Sequence, residues 1–322
     1  MVKYTTYTLR KGQLSGGGPR KKPKPSIFIA YSFGKTDSQR FRDNLEEAIR
    51  RSHSLSQVEV QDGHVRVGAS WPTEIRRRLK AARLVVADLS VLSPEVLFEC
   101  GFAWGLHKAI LPVTSESGGF SHLPNWMKEI QFGIHSASGD LASVVDAISQ
   151  ALNDKRRSPA GANGSSPNPR NIALIAPPSC EHVIDQVRHG CGRYGFDLLG
   201  PELTGETMSD IGDGFVSAVA SASLFVGRLG NTDLDNQVHF GAGMVCAVPN
   251  AGVSKVKFQR RVLLVVGNDE RPEVCVSDSA RRVAGIVKVI RESQIGLEIT
   301  AFVQAYRLWE KKVGAGNVLK AN

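Results

Sequence analysis

The sequence predicts two tandem α/β domains, each a mostly parallel sheet with helices on both faces. Short apolar runs, such as Ser26–Tyr31 and Asn171–Ala176, alternate with helix-period segments, as buried parallel strands and their crossover helices require. A chain of 322 residues is also longer than a usual single domain. Two compact units of the same class are therefore expected.

The elements of each half follow from these patterns. In the first half we predict strands at 26–31, 57–60, 84–89 and 109–113, and helices at 38–51, 72–82 and 94–107. In the second half we predict strands at 171–176 and 196–199, and helices at 181–194 and 209–221. Ligands of such sheets bind beyond the carboxyl ends of the strands, so candidate site residues are sought there.

Composition sets the domain boundaries. Residues 1–25 are rich in Gly, Lys and Pro and predict a flexible basic leader, and residues 153–170 (NDKRRSPAGANGSSPNPR) predict a linker. The first domain then covers 26–152 and the second 171–322. The leader and the linker carry much of the net charge of +9, which favours either nucleic-acid contact or a solubilising arm.

An internal repeat relates the two halves. The segment ARLVVADLSVLSPEVLFECGFAWGL superposes without a gap on ASLFVGRLGNTDLDNQVHFGAGMVC, which sets Leu84 on Leu224 and Gly101 on Gly241. The carboxylates are not repeated, because Asp88 meets Arg228 and Glu99 meets His239. We therefore expect a duplicated fold whose second copy serves packing, dimerisation or regulation.

Several classes of protein are disfavoured by the composition. The hydrophobic fraction of 42% and the charged fraction of 22% are those of a globular protein. No apolar run is long enough to span a bilayer and no signal-peptide pattern is present, so a cytoplasmic protein without membrane contact is expected. The five cysteines lack CxxC spacing, and no metal or phosphate-loop motif occurs, so we expect neither a metal nor a bound cofactor.

Glu99 is the main candidate for chemistry. Ser93 and Pro94 predict a helix start, and the helix that follows is apolar from Val96 to Leu106 except for Glu99. A carboxylate on an apolar helix costs several kcal/mol unless something compensates it. One explanation is an internal ion pair with Arg83 or with one of the arginines at 76–78; the favoured explanation is a ligand-facing position.

Other candidates cluster near the predicted strand ends. Asp88 closes the strand before the Glu99 helix, and Tyr31 and Ser32 close the first strand. Trp71 could stack on a nucleobase or fill the core, and Asp37 could cap a helix or touch the ligand. The candidate substrate-binding residues are Asp88, Ser32, Tyr31, Ser90, Ser93, Trp71 and Asp37.

Two segments resemble a known superfamily. FIAYSFGKTDSQRFRDNLEEAI resembles the opening strand, loop and helix of TIR domains. KAARLVVADLSVLSPEVLFECGFAWGLHKAILPV resembles the core of TIR-like nucleotide-binding proteins and nucleoside 2-deoxyribosyltransferases, with Asp88, the triplet Glu99-Cys100-Gly101 and Lys108 at the matched positions. Ser93 precedes Glu99 by the spacing common in TIR domains. The resemblance covers about residues 26–150, and the usual Trp-Cys before the Glu is replaced by Glu95 and Val96.

The resemblance implies a flavodoxin-like, TIR-like fold and an activity. In catalytic members the matched Glu is the essential carboxylate at the ribose, which implies an N-glycosidase that hydrolyses NAD+ or releases the base of another nucleotide. It further implies NAD+ as a substrate rather than a cofactor, a homo-oligomer or partner-activated assembly, and a role in prokaryotic antiviral defence. The alternatives are a non-catalytic nucleotide sensor and a TIR-type assembly module.

Overall fold

The computed structural model describes residues 24–64, 71–114, 135–136, 141–154, 168–199, 214–230, 232–248, 250–251, 258–271, 276, 278–283 and 285–318. Most of the predicted leader, the linker segment 155–167, Gly68 and Ser70 lie outside these ranges, as does the side chain of Trp71. No helix in the described part of the chain is both long and apolar enough to cross a membrane.

The first half forms one parallel sheet with helices on both faces. Its strands are β1 Ser26–Ala30, β2 Glu59–Asp62, β3 Leu84–Asp88, β4 Ala109–Thr114 and β5 His135–Ser136. Its helices are α1 Thr36–Arg51, α2 Trp71–Ala81, α3 Pro94–Gly105 and α4 Ala142–Asn153. The described strands follow the order β2-β1-β3-β4-β5, which is the order of flavodoxin-like folds.

The second half repeats this architecture. Its strands are β6 Asn171–Ile175, β7 Asp197–Leu199, β8 Leu224–Arg228, β9 Asn250–Ala251, β10 Phe258–Gln259, β11 Arg261–Val266 and β12 Val287–Arg291. Its α-helices are α5 Glu181–Gly192, α6 Gly214–Ser221, α7 Thr232–Ala247, α8 Asp278–Arg281 and α9 Ile295–Val318. The parallel sheet has the order β12-β11-β8-β6-β7, and β9 and β10 form a separate antiparallel pair.

The fold class predicted from the sequence is confirmed. Read from the opposite edge, the second sheet has the same strand order as the first. Strands β3 and β8 occupy matching positions in the gapless superposition, which confirms that this part of the repeat is a repeat of structure. The β9–β10 pair is an addition to the second copy, between α7 and β11.

The predicted elements whose ends are described begin and end within two residues of the observed ones, and β2 is shifted by two residues at both ends. The sequence predicted a strand at 57–60, whereas the structure has it at Glu59–Asp62. Its residues are exposed or half-buried except Asp62, so the strand lacks the apolar run that marks β1 and β3. This error hid the position of Asp62 at the carboxyl end of a strand.

One apolar cluster joins the two halves. It extends from one face of the first sheet, through α2 and α3, to α6, α7 and the facing side of the second sheet. Helices α3 and α7 cross at glycines: a Cβ atom on Gly101 would lie 1.9 Å from Phe240 O, and one on Gly243 would lie 2.1 Å from Phe98 O. The helix that carries Glu99 is thus held directly by the second copy.

Candidate functional site

Glu99 lies in the middle of α3, whose start is built as the sequence predicts. Ser93 is the N-cap, its Oγ accepts a hydrogen bond from Val96 N at 3.3 Å, and Pro94 is the first helical residue. The helix buries almost every residue from Val96 to Ala103. Ser93 therefore has a capping role, and Glu99 is only 3% exposed.

The carboxyl group of Glu99 lies against the backbone that follows β2. A Cβ atom placed on Gly63 would lie 2.6 Å from Glu99 Oε1 and 3.1 Å from the Phe33 ring. A side chain at this position would displace the Glu99 carboxyl group. The carboxyl group is therefore directed toward the carboxyl ends of β1 and β2, beside an aromatic ring.

The surroundings of Glu99 oppose its ionisation. Burial raises its pKa well above 4.5, and the negative charges of Asp62 and Glu95 raise it further. No hydrogen bond or ion pair among the described residues reaches the Glu99 side chain. The protein supplies two carboxylates near this carboxyl group and no compensating cation within the described part of the chain.

The ion-pair explanation for Glu99 was wrong, because the proposed arginines bind elsewhere. Arg83 donates to Leu152 O at 2.7 Å and Arg76 donates to Ala247 O at 3.2 Å, so both bind the last carbonyl groups of helices. The two remaining arginines, at 77 and 78, both pair with Glu74. Among the described residues, Glu99 is therefore a buried acid without an ion-pair partner.

Asp62 is a second acid of the site, which the sequence analysis missed. It is 9% exposed, and its Oδ2 accepts from Arg42 Nε at 3.2 Å while its Oδ1 accepts from His64 N at 2.9 Å. Arg78 lies 3.7 Å from Oδ1 and also donates to the carbonyl oxygens of Asp62 and His64. Helices α1 and α2 thus fix this carboxylate from both sides.

Two aromatic side chains lie at the end of β1. Tyr31 is buried and Phe33 is 41% exposed, with ring centroids 4.5 Å apart. Burial and the charge of Asp62 raise the pKa of Tyr31 to about 12. Phe33 also lies 6.1 Å from the His64 ring. The exposed Phe33 ring, next to the Glu99 carboxyl group, is the described aromatic surface on which a planar ligand could stack.

Asp88 lies at the end of β3 and is 1% exposed. Its Oδ1 accepts from Ser90 N at 3.0 Å, and its Oδ2 is buried with no hydrogen-bond partner among the described residues. Asp88 is not one of the groups that shift the pKa of Glu99, whereas Asp62 is. Asp88, at the end of β3, and Glu99, in the helix after it, are predicted to line one crevice, and this stays a prediction; the charge of Asp62 acts on Glu99.

The remaining candidates are spread around this edge. Ser32 is buried directly after β1, and its carbonyl accepts from Lys35 N at 3.4 Å. Asp37 is not the N-cap of α1; it lies in the first turn, is 96% exposed and pairs with Arg40 at 3.7 Å. The backbone of Trp71 begins α2, but its side chain lies outside the described residues.

A polar cavity of about 520 Å³ adjoins this site and shares Asp62 with it. Its lining residues come from α1, β2 and α2, and they are Arg42, Glu59, Val60, Gln61, Asp62, Glu74, Arg77 and Arg78. The cavity has the size of a small-molecule site. Among the described residues, no group of three or more His, Cys, Asp or Glu side chains is arranged to hold a metal ion.

The matching edge of the second sheet is occupied by ion pairs. Arg228 ends β8, as Asp88 ends β3, and donates to Glu292 at 2.6 Å and to Glu270 at 3.1 Å. Glu292 also contacts His182 at 2.9 Å, and Gly267 N donates to Glu270 at 2.7 Å. His239, the counterpart of Glu99, is fully buried in α7. This edge therefore satisfies its charges internally.

Lys108, one of the residues matched to the superfamily, has a structural contact. Its Nζ donates to Lys80 O at 2.6 Å and to Ala82 O at 2.8 Å, at the end of α2. The equivalent cation of the second half is Arg260, which binds Ala222 O at the end of α6. Lys108 thus stabilises the negative end of α2, and Arg260 stabilises that of α6.

Comparison with known protein families finds no model that matches this chain, and comparison with curated proteins finds no similar sequence.

Proposed function

We propose that the first half of the chain is an N-glycosidase that cleaves the bond between base and ribose in a nucleotide, NAD+ or a simpler one, with Glu99 as the essential carboxyl group. The observation that carries the proposal is a buried carboxyl group at the carboxyl edge of a parallel sheet with no compensating cation among the described residues. Open α/β sheets bind ligands at that edge.

The chemistry of glycosidic cleavage fits such a group. When the bond between ribose C1′ and the base nitrogen breaks, its electron pair leaves with the base, and positive charge develops on C1′ and the ring oxygen. Water then supplies the hydroxyl group to C1′. A fixed carboxylate stabilises that charge more strongly in the transition state than in the bound substrate, which is what lowers the barrier.

The other residues at the edge supply the binding surface in this proposal. The Phe33 ring offers a stacking face for the base or nicotinamide next to Glu99. Asp88 Oδ2, which has no hydrogen-bond partner among the described residues, and the buried Ser32 lie at the ends of neighbouring strands, where they would hold ribose hydroxyl groups. The resemblance to TIR-like proteins extends the proposal to an effector of antiviral defence that works as an assembly.

A direct assay tests this function. The purified protein is incubated with NAD+ and with a panel of nucleoside monophosphates, and the products are separated. Release of free base from one of these substrates is expected. Because the resemblance implies an assembly, the assay is run at a low and at a high protein concentration, and absence of base release at both would refute the proposal.

The contact between the halves favours a second candidate, a nucleotide sensor without catalysis. Helix α3 carries Glu99 and packs through Gly101 on α7, so ligand binding at Glu99 has a rigid connection to the second copy. The sensor hypothesis predicts saturable nucleotide binding with intact nucleotide recovered afterwards. Recovery of cleaved product would exclude it.

A further inference from the structure

The Asp62 carboxylate lies in the same region as Glu99 and is held by side chains of α1 and α2. Its two carboxylate oxygens are engaged by Arg42, Arg78 and the backbone of His64. The next residue in the chain, Gly63, is the one whose backbone the Glu99 carboxyl group approaches. The Asp62 carboxylate, which Arg42 and Arg78 hold in place, therefore belongs to the residue directly before the glycine that the Glu99 carboxyl group approaches.

The two acids differ in what surrounds them. Asp62 is bound by two arginines and one backbone N–H. Glu99 is more deeply buried and has no such donors among the described residues. When two neighbouring carboxyl groups have unequal surroundings, the group with the poorer solvation is the one that stays protonated.

Charged and titratable groups lie on several of the elements that pack against α3. On α3 itself they are Glu95 and Cys100; beyond β1 lies Tyr31, at the end of β3 lies Asp88, and β4 carries none. Helices α7 and α8 carry Asp235, His239, Cys246 and Arg281 among their described side chains, and Arg281 donates to Val276 O. The groups that act on Glu99 are Asp62 and Glu95, both negative.

We propose that Asp62 is a positioning residue, held by Arg42 and Arg78, whose charge keeps a proton on Glu99 while the site is empty. The Glu99 proton passes to solvent water as the pH rises through its midpoint, which leaves the carboxylate that stabilises the glycosidic transition state. This catalytic consequence rests on the proposed function. The protonation of Glu99 in the empty protein does not.

The test follows the proton on Glu99 directly. The full chain is labelled with ¹³C at the glutamate side-chain carboxyl carbons, and the Glu99 resonance is identified by its loss in Glu99→Gln. In the wild-type protein it is expected to titrate above the ordinary range of glutamate. In Asp62→Asn the midpoint is expected to fall by about one pH unit. An unchanged or higher midpoint in a folded Asp62→Asn protein overturns the proposal.

Two further variants separate electrostatics from folding. Asp43→Asn removes an exposed carboxylate that shares Arg42 but is not among the groups acting on Glu99, so the midpoint should stay at the wild-type value. Arg42→Gln removes a cation that offsets Asp62, so the midpoint should rise or stay, and a fall would contradict the proposal. If Asp62→Asn does not fold, the wild-type titration is the remaining test. A Glu99 midpoint in the ordinary range of glutamate would then refute the proposal by itself.

The same variants distinguish this inference from the proposed function. If Glu99 retains its proton as described but no base is released, the inference stands and the glycosidase proposal fails. If base is released, the rise of kcat/KM with pH should move to lower pH in Asp62→Asn together with the Glu99 midpoint. A rise that stays in place while the midpoint moves contradicts the catalytic consequence.

Discussion

Gly101 of α3 and Phe240 of α7 are in backbone contact: a Cβ atom on Gly101 would lie 1.9 Å from Phe240 O. The reciprocal contact is made by Gly243 against Phe98 O. The two copies of the fold are thus joined through the helices that carry Glu99 and its counterpart His239. The second copy, without the carboxylates, supports the first by packing.

Gly101→Ala is expected to destabilise the protein, although alanine normally favours a helix. The added methyl group meets a backbone carbonyl that no side-chain rotation can move, so the loss should be at least about 2 kcal/mol in urea unfolding. Gly296→Ala is the matched control, because nothing lies within 4 Å of that site in α9. It should gain about 0.5–1 kcal/mol. Equal effects of the two substitutions would contradict the packing described.

Lys108 and Arg260 are expected to matter for stability and not for chemistry. Arg260 is fully buried and donates to Ala222 O and Val219 O, both at 2.6 Å. Arg260→Met removes these two charge-assisted hydrogen bonds, at about 1–3 kcal/mol each. Lys108→Met should cost less, because Lys108 is only partly buried. Thermal unfolding measures both costs, and loss of base release in a folded Lys108→Met protein would show that Lys108 has more than a structural role.

The stability of the wild-type protein should fall with pH because of Glu99. Its pKa in the folded protein is raised above the ordinary 4.5, so the folded state binds this proton more tightly than the unfolded chain does. The resulting stabilisation is complete below 4.5 and is lost as pH rises through the folded-state pKa, at about 1.4 kcal/mol per pH unit.

Glu99→Gln removes this dependence. Its free energy of unfolding, compared with that of wild type over a pH series, should rise relative to wild type as the pH increases above 4.5. Below that value the difference between the two proteins should be constant, which serves as the internal control. Parallel curves over the whole series would show that Glu99 has an ordinary pKa.

The fold could be predicted because its signals are local. The apolar runs of β1, β3 and β6 mark strands buried on both faces. The gapless repeat of the sequence identifies β8 as the counterpart of β3 in the second half. Strand β2 carries no such run, because its residues before Asp62 are exposed or half-buried. Its boundaries follow from pairing with β1, which is a tertiary contact.

The site could be predicted only in part for the same reason. Glu99 stands out because a single acid interrupts an apolar helix, and that pattern is visible in the sequence. Asp62, Arg42 and Arg78 meet from three separate elements, and no spacing in the chain relates them. The true partners of Arg76 and Arg83 are helix-end carbonyls, which are available in every helix and therefore leave no sequence signal.

The rate of base release by Glu99→Gln tests the central claim most directly, measured beside wild type and Glu47→Gln on the substrate that wild type cleaves. Glu47 lies on α1, is half exposed and pairs with Arg51, so its variant controls for loss of a carboxylate elsewhere. We expect Glu47→Gln to match wild type and Glu99→Gln to lose at least about a hundredfold in rate while still binding the nucleotide. A Glu99→Gln protein that releases base at the wild-type rate would contradict the account.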